Sequence, residues 1–114
     1  MIRQGDIVLI PIPVTDLSSQ KRRPVIVISN DAYNRMADDI IVVALTSNPR
    51  KTDFSFSISS ADLVSGKLKR PSRVRVDKIY TLSKTIVLNT FGNVSPKVLV
   101  RIRHVLADLT SEAT

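Results

Sequence analysis

Short apolar runs bounded by turn residues fill most of this chain. IVLI (7–10), PVIVIS (24–29) and DIIVVALT (39–46) are rich in β-branched residues and of strand length. Their stiffness at χ1 disfavours helix, so each predicts a strand buried on both faces or wrapped into a barrel. FSFSIS (54–59) alternates apolar and hydroxyl residues, the pattern of a half-buried antiparallel strand with Phe54 and Phe56 in the core. RVRVDKIY (73–80) and TIVLNTFG (85–92) complete the set. TDLSSQ (15–20), SNPRKTD (47–53), SGKLKRPS (65–72) and LSK (82–84) separate the runs as turns. If 72–80 is a regular strand, Arg73, Arg75 and Asp77 share one face and Val74, Val76 and Lys78 the other.

Near the C-terminus the period changes from two to 3.6. Ser95 is a good N-cap and Pro96 a good first helical residue. Val98, Leu99, Ile102, Val105, Leu106 and Leu109 then follow helical spacing, predicting an amphipathic helix of about four turns. A shorter helical turn is expected within DAYNRMADD (31–39). Many short strands without a long intervening helix indicate a mainly β fold. We expect a small antiparallel β-barrel or sandwich with a C-terminal amphipathic α-helix, one domain over residues 1–114.

Charge sharpens this picture. Lys and Arg number 17 against 10 Asp and Glu, a formal net charge of +7, which points to a polyanionic partner, nucleic acid or an acidic protein segment. The chain has no cysteine, so disulfides and thiolate metal sites are excluded. No apolar run approaches the roughly 20 residues that span a bilayer, and Pro11 and Pro13 interrupt the apolar N-terminus, so a cytoplasmic protein without membrane association is expected.

Several chemistries drop out on residue type. His104 is the single histidine and lies between apolar helix positions; three scattered glycines make no phosphate-cradling loop; the adjacent Asp38 and Asp39 diverge. What remains is arginine, hydroxyl and aspartate chemistry. KRRP (21–24) places three cations before a strand, and Pro24 restricts Arg23 to an extended conformation. Arg23 is thus either a solvated turn cation or a planar fork for a phosphate. Thr46 and Ser47 end a buried strand, where they open an ordinary turn or donate to a phosphate oxygen. Arg75 and Asp77 are either a surface charge pair or part of a site.

The order GDIVLI, TDLSSQKRRP, PVIVIS, VVALTSNP, PSRVRVDKIYTLSK and an amphipathic terminal helix resembles the MazF/PemK-like toxins of type II toxin–antitoxin systems over nearly the whole chain. The resemblance implies an SH3-like β-barrel, a two-fold homodimer, and metal-independent cleavage of single-stranded RNA or mRNA with no cofactor. It places the catalytic arginine and threonine of the family at Arg23 and Thr46, and the arginine–aspartate pair of PemK-type members at Arg75 and Asp77. Some such members also use a histidine in the first loop; the equivalent stretch here holds Asp16, Lys21 and Arg22.

The implied reaction is attack of a ribose 2′-hydroxyl on the adjacent phosphate, leaving a 2′,3′-cyclic phosphate and a 5′-hydroxyl. Arg23, helped by Thr46 and Ser47, would stabilise the phosphoryl charge; Asp77 would be the base, with Arg75 orienting it or stabilising charge. Lys21, Arg22, Arg50, Lys51, Arg73, Lys69 and Arg70 would hold the RNA backbone. The implied partners are the RNA substrate, a cognate antitoxin with a flexible acidic tail, and promoter DNA, bound mainly as the toxin–antitoxin complex. Two other functions fit the same fold: a non-catalytic barrel that binds nucleic acid or protein, and a gyrase-poison-like toxin.

Overall fold

The computed structural model describes residues 1–13 and 20–112, so nearly all of the turn expected at 15–20, Asp16 included, lies outside the described residues. Among the described residues the strands are β1 (Asp6–Pro13), β2 (Gln20–Val27), β3 (Asp39–Thr46), β4 (Ser55–Ile58), β5 (Leu63–Gly66), β6 (Ser72–Ser83) and β7 (Asn89–Val94), with helices α1 (Asp31–Met36) and α2 (Pro96–Leu109). All seven strands join one antiparallel sheet in the order β4-β6-β3-β2-β1-β7-β5. Its two edge strands, β4 and β5, are consecutive in the chain and linked through a 3₁₀ turn at Ser60–Asp62. The sheet therefore curls into a half-barrel, as the mainly β, barrel-like expectation required.

Period-two alternation divides the apolar side chains between two cores. On the inner face, Ile7, Ile26, Val43, Leu45, Phe56, Val74 and Val76 form a buried cluster, closed by Val98 and Ile102 of α2. The helix begins where predicted: Ser95 accepts a hydrogen bond from the Val98 N–H at 3.4 Å, and Pro96 occupies the first turn. Burying Val98 and Ile102 contributes about 1.5–3 kcal/mol each, and the Arg101 guanidinium lies 4.3 Å over the Phe56 ring, covering the same seam. The outer face holds a smaller cluster of Val8, Ile10, Val25, Val27, Ile40 and Val42, with Leu82, Ile86 and Val87 against it.

Four local expectations are corrected. Phe54 is not core: it takes φ +58° in the turn before β4 and is 40% exposed, whereas Phe56 is 3% exposed. The run at 85–92 is not one strand; Lys84–Ile86 form a 3₁₀ turn capped by Ser83, and β7 starts at Asn89. Ile86 and Val87 are apolar because they plug the outer core, not because they alternate in a ladder. Strand β5, only LVSG, carries too few apolar residues to stand out in the pattern. The fourth correction concerns β6, where the cleft lies.

Candidate functional site: a cationic cleft where two strands part

The β2–β3 ladder runs from Val27↔Val42 to Val25↔Ala44 and stops, while β1–β2 pairing continues through Leu9↔Pro24 and Ile10↔Arg23 to Pro13↔Gln20. Pro24 has no N–H to give, and the ladder ends one residue before it. Beyond that point β2 stays with β1 and leaves β3. Continuing the register by two residues would set Arg23 opposite Thr46, so the two lie on opposite sides of the opening where the strands part. Both line a cleft of about 710 Å³, together with Ser47, Arg50, Arg70 and Arg75.

Thr46 is half-buried, and its Oγ1 accepts a hydrogen bond from the Asn48 N–H at 3.1 Å. The hydroxyl proton remains available to another acceptor. Asn48 Oδ1 in turn accepts from the Arg50 N–H at 3.0 Å, which shapes the turn that carries Arg50 along the cleft wall. Arg23 is exposed, as are Ser47 and Arg50.

Strand β6 departs from regular alternation here. Val43 and Ala44 are neighbours on β3, yet their partners on β6 are Ile79 and Arg75, so residues 76–78 intervene without a β3 partner. This is an extended β-bulge. Val76 remains fully buried in the inner core, its N–H donating to the Phe54 carbonyl at 3.1 Å, while Asp77 and Lys78 are pushed out. The bulge brings Arg75 and Tyr80, on adjacent outer-face rungs, to one site, and it turns Lys78 into the cleft instead of the valine face expected for it. No local pattern in the sequence marks Lys78 and Tyr80 as site residues; the pairing register alone brings them to the cleft.

Asp77 folds back on Arg75. Arg75 Nε donates to Asp77 Oδ1 at 2.9 Å and Nη2 to Oδ2 at 2.8 Å, a bidentate pair. That hydrogen bonding holds the Asp77 carboxyl below its ordinary value of 3.8, against an opposing desolvation, and raises Arg75 further. Three guanidinium N–H groups of Arg75, two on Nη1 and one on Nη2, lie outside the pair. Arg73 is engaged elsewhere, with Nε and Nη2 donating to Ser55 Oγ at 3.2 and 3.1 Å.

Of the residues singled out in the sequence, the fold brings Arg23, Thr46, Ser47, Arg50, Arg70 and Arg75 to one cleft, with Asp77 joined through Arg75. Lys21, Arg22 and Lys51 are exposed beside it and do not line it, nor does Arg73. His104 is exposed on α2. Among the described residues no three His, Cys, Asp or Glu side chains come together as metal ligands would, and no helix is long and apolar enough to cross a membrane.

A curled antiparallel sheet with a terminal helix and an arginine-rich cleft defines a small mainly β protein, and sequence comparison narrows it. Residues 3–110 match the profile of the PemK-like, MazF-like toxins of type II toxin–antitoxin systems, and the chain belongs to that family. It is 27% identical over 107 residues to endoribonuclease MazF of Staphylococcus epidermidis, covering 93% of this chain and 88% of that protein. Among solved structures, MazE–MazF of Deinococcus radiodurans aligns at a TM-score of 0.77 with 21% identity, covering 98% of this chain and 97% of that one. An endoribonuclease in complex with its cognate antitoxin, from Mycobacterial species, aligns at 0.75 with 24% identity, covering 100% and 99%. At these identities the two structures establish the shared fold.

Proposed function

We propose that the chain is a single-domain, cytoplasmic endoribonuclease toxin that cuts single-stranded RNA by making a 2′-hydroxyl attack its own phosphodiester. The observation carrying this reading is that Arg23 and Thr46, from strands that part at Pro24, open onto one cationic cleft. Family membership and the endoribonuclease relative support it.

In the reaction, the 2′-oxygen–phosphorus bond forms as the bond to the 5′-oxygen breaks. A proton leaves the 2′-hydroxyl and another reaches the departing oxygen. Arg23, the Thr46 hydroxyl and the free edge of Arg75 meet the charge that grows on the phosphoryl oxygens. Asp77 is the candidate base, and the Arg75 pair restrains its basicity until a phosphate competes for that guanidinium. Arginine holds its proton too tightly to be a good acid at neutral pH. Lys78 and Tyr80, in the same cleft, are the side-chain types better able to release one. Ser47, Arg50 and Arg70 grip the flanking phosphates, with Lys21, Arg22, Lys51 and Arg73 as outer contacts.

The partners follow from the same charge. A cleft lined by cations suits the acidic tail of an antitoxin, which would compete with RNA for it. The relative solved in complex with its cognate antitoxin supports that pairing, and the same reading takes the toxin as a homodimer and promoter DNA as bound mainly by the toxin–antitoxin complex. The test is incubation of purified protein with single-stranded RNA in EDTA. The expected products carry a 2′,3′-cyclic phosphate and a 5′-hydroxyl, and RNA that is bound but left intact would replace the nuclease by a binding module.

A further inference from the structure

A second cleft, of about 530 Å³, adjoins the first and shares Ser47 and Arg70 with it. Its volume lies in the range of roughly 300–1,000 Å³ typical of small-ligand sites. Lys67, Lys69 and Arg70 give it a cationic rim, with Ser47 and Ser72 beside them, and Leu9, Leu68 and Phe91 give it an apolar floor. Among the described residues no carboxylate lines it. Phe91 packs one side against the inner core and is half-buried, so part of its ring is left to the cleft.

The rim is fastened to the floor. The Leu68 N–H donates to Ser60 Oγ at 2.9 Å and the Ser60 hydroxyl donates to the Leu68 carbonyl at 3.2 Å, pinning the loop at its middle and leaving Lys67 and Lys69 exposed on either side. At its root, Gly66 takes φ +86° and lies so close to β7 that a Cβ there would fall 2.2 Å from the Phe91 carbonyl oxygen and 2.7 Å from Gly92 Cα. The backbone that carries the cations is thus held in a fixed relation to the Phe91 strand before any ligand arrives, which lowers the ordering cost of binding.

We propose that this second cleft is a nucleotide subsite of the RNA track, taking one unstacked base against Phe91 while Lys67, Lys69 and Arg70 hold its phosphates. The proposal rests on the endoribonuclease reading. A flat apolar floor beside a cationic rim matches a nucleotide, which joins a flat aromatic base to an anion. An acidic peptide would use the rim and leave the ring idle.

The test uses single-stranded RNA with a 2′-deoxy substitution at the position that the wild-type protein cuts, trimmed one nucleotide at a time from each end. Affinity is read by fluorescence anisotropy. The wild type should show one step in affinity at a particular length. Phe91→Leu should erase that step, a loss of about five- to a hundredfold on the longer RNAs. Lys67→Ala with Lys69→Ala should erase it too, and lower the slope of log affinity against log salt by about 1.4 for two lost contacts. RNAs too short to reach the cleft should bind all proteins alike. The double variant alters exposed side chains only, so it decides the matter if Phe91→Leu fails to fold. The absence of a step, or equal weakening at every length, overturns the subsite while leaving the nuclease intact. Loss of a polyglutamate peptide by the double variant with RNA affinity unchanged also overturns it, in favour of a peptide site. Wild-type protein that neither binds nor cuts RNA removes both readings together.

Discussion

The two faces of the central strands β1, β2, β3 and β6 carry the same alternation to different ends. The inner face is apolar along its length, closed by α2, and buries Ile26, Val43 and Val74 completely. The outer face is apolar for only half its length. Ile40, Val42 and Val27 form a core, and four residues beyond Val42 and Val27 on the same strands stand Thr46 and Arg23, with Arg75 on β6 opposite Ala44. A ladder of paired strands thus anchors the cleft from below, so the site rests on rigid strands rather than on a loop alone. Stability and chemistry are separated by one residue of register.

That separation can be broken from either side. The largest effect should come from Ile26→Ala, which empties a fully buried inner site. It should lower stability by about 2–5 kcal/mol, read by urea denaturation, while the fraction still folded cuts RNA at the wild-type rate. Arg23→Ala should do the reverse, with single-turnover cleavage falling about 10²–10³-fold and the denaturation midpoint unmoved; unchanged turnover would remove Arg23 from the mechanism. Thr46→Val keeps the shape and deletes the hydroxyl. It should slow cleavage by about tenfold, the worth of one hydrogen bond of roughly 1.4 kcal/mol, with RNA affinity preserved.

The smallest effect belongs to the pair at the rim. At neutral pH, Asp77→Asn should cost only about 0.2–1 kcal/mol of stability, because the pair is partly exposed. Since the folded carboxyl titrates below 3.8, that contribution is complete above about pH 4 and is lost as the pH falls through the lower folded value. Melting curves of the two proteins should therefore converge in acid. In cleavage, Asp77→Asn should reduce the rate more than the affinity, and a loss confined to affinity would make Asp77 a positioning residue for Arg75.

Much of this was readable in the chain. The β-branched runs announced β1, β2 and β3, and Ser95-Pro96 announced α2, because local stiffness and capping act over a few residues. Arg23 and Thr46 could be picked out as single residues, but their meeting depends on where a ladder ends, which no local pattern encodes. The bulge at 76–78 was hidden for the same reason. Perfect alternation in SRVRVDK reads as a regular strand, and only its pairing with β3 shows that the three residues have no partner. Phe54 misled because its run alternates well, while its positive φ arises from the turn that starts β4.

Pro24 closes the account at the level of the backbone. Because an imino acid ends one ladder, the aperture is held open by main-chain chemistry, independently of the groups that decorate it. Side chains around the rim can then be exchanged with little penalty to folding. A variant that restored the amide at this single position would let the strands zip together, closing the aperture with every arginine still in place.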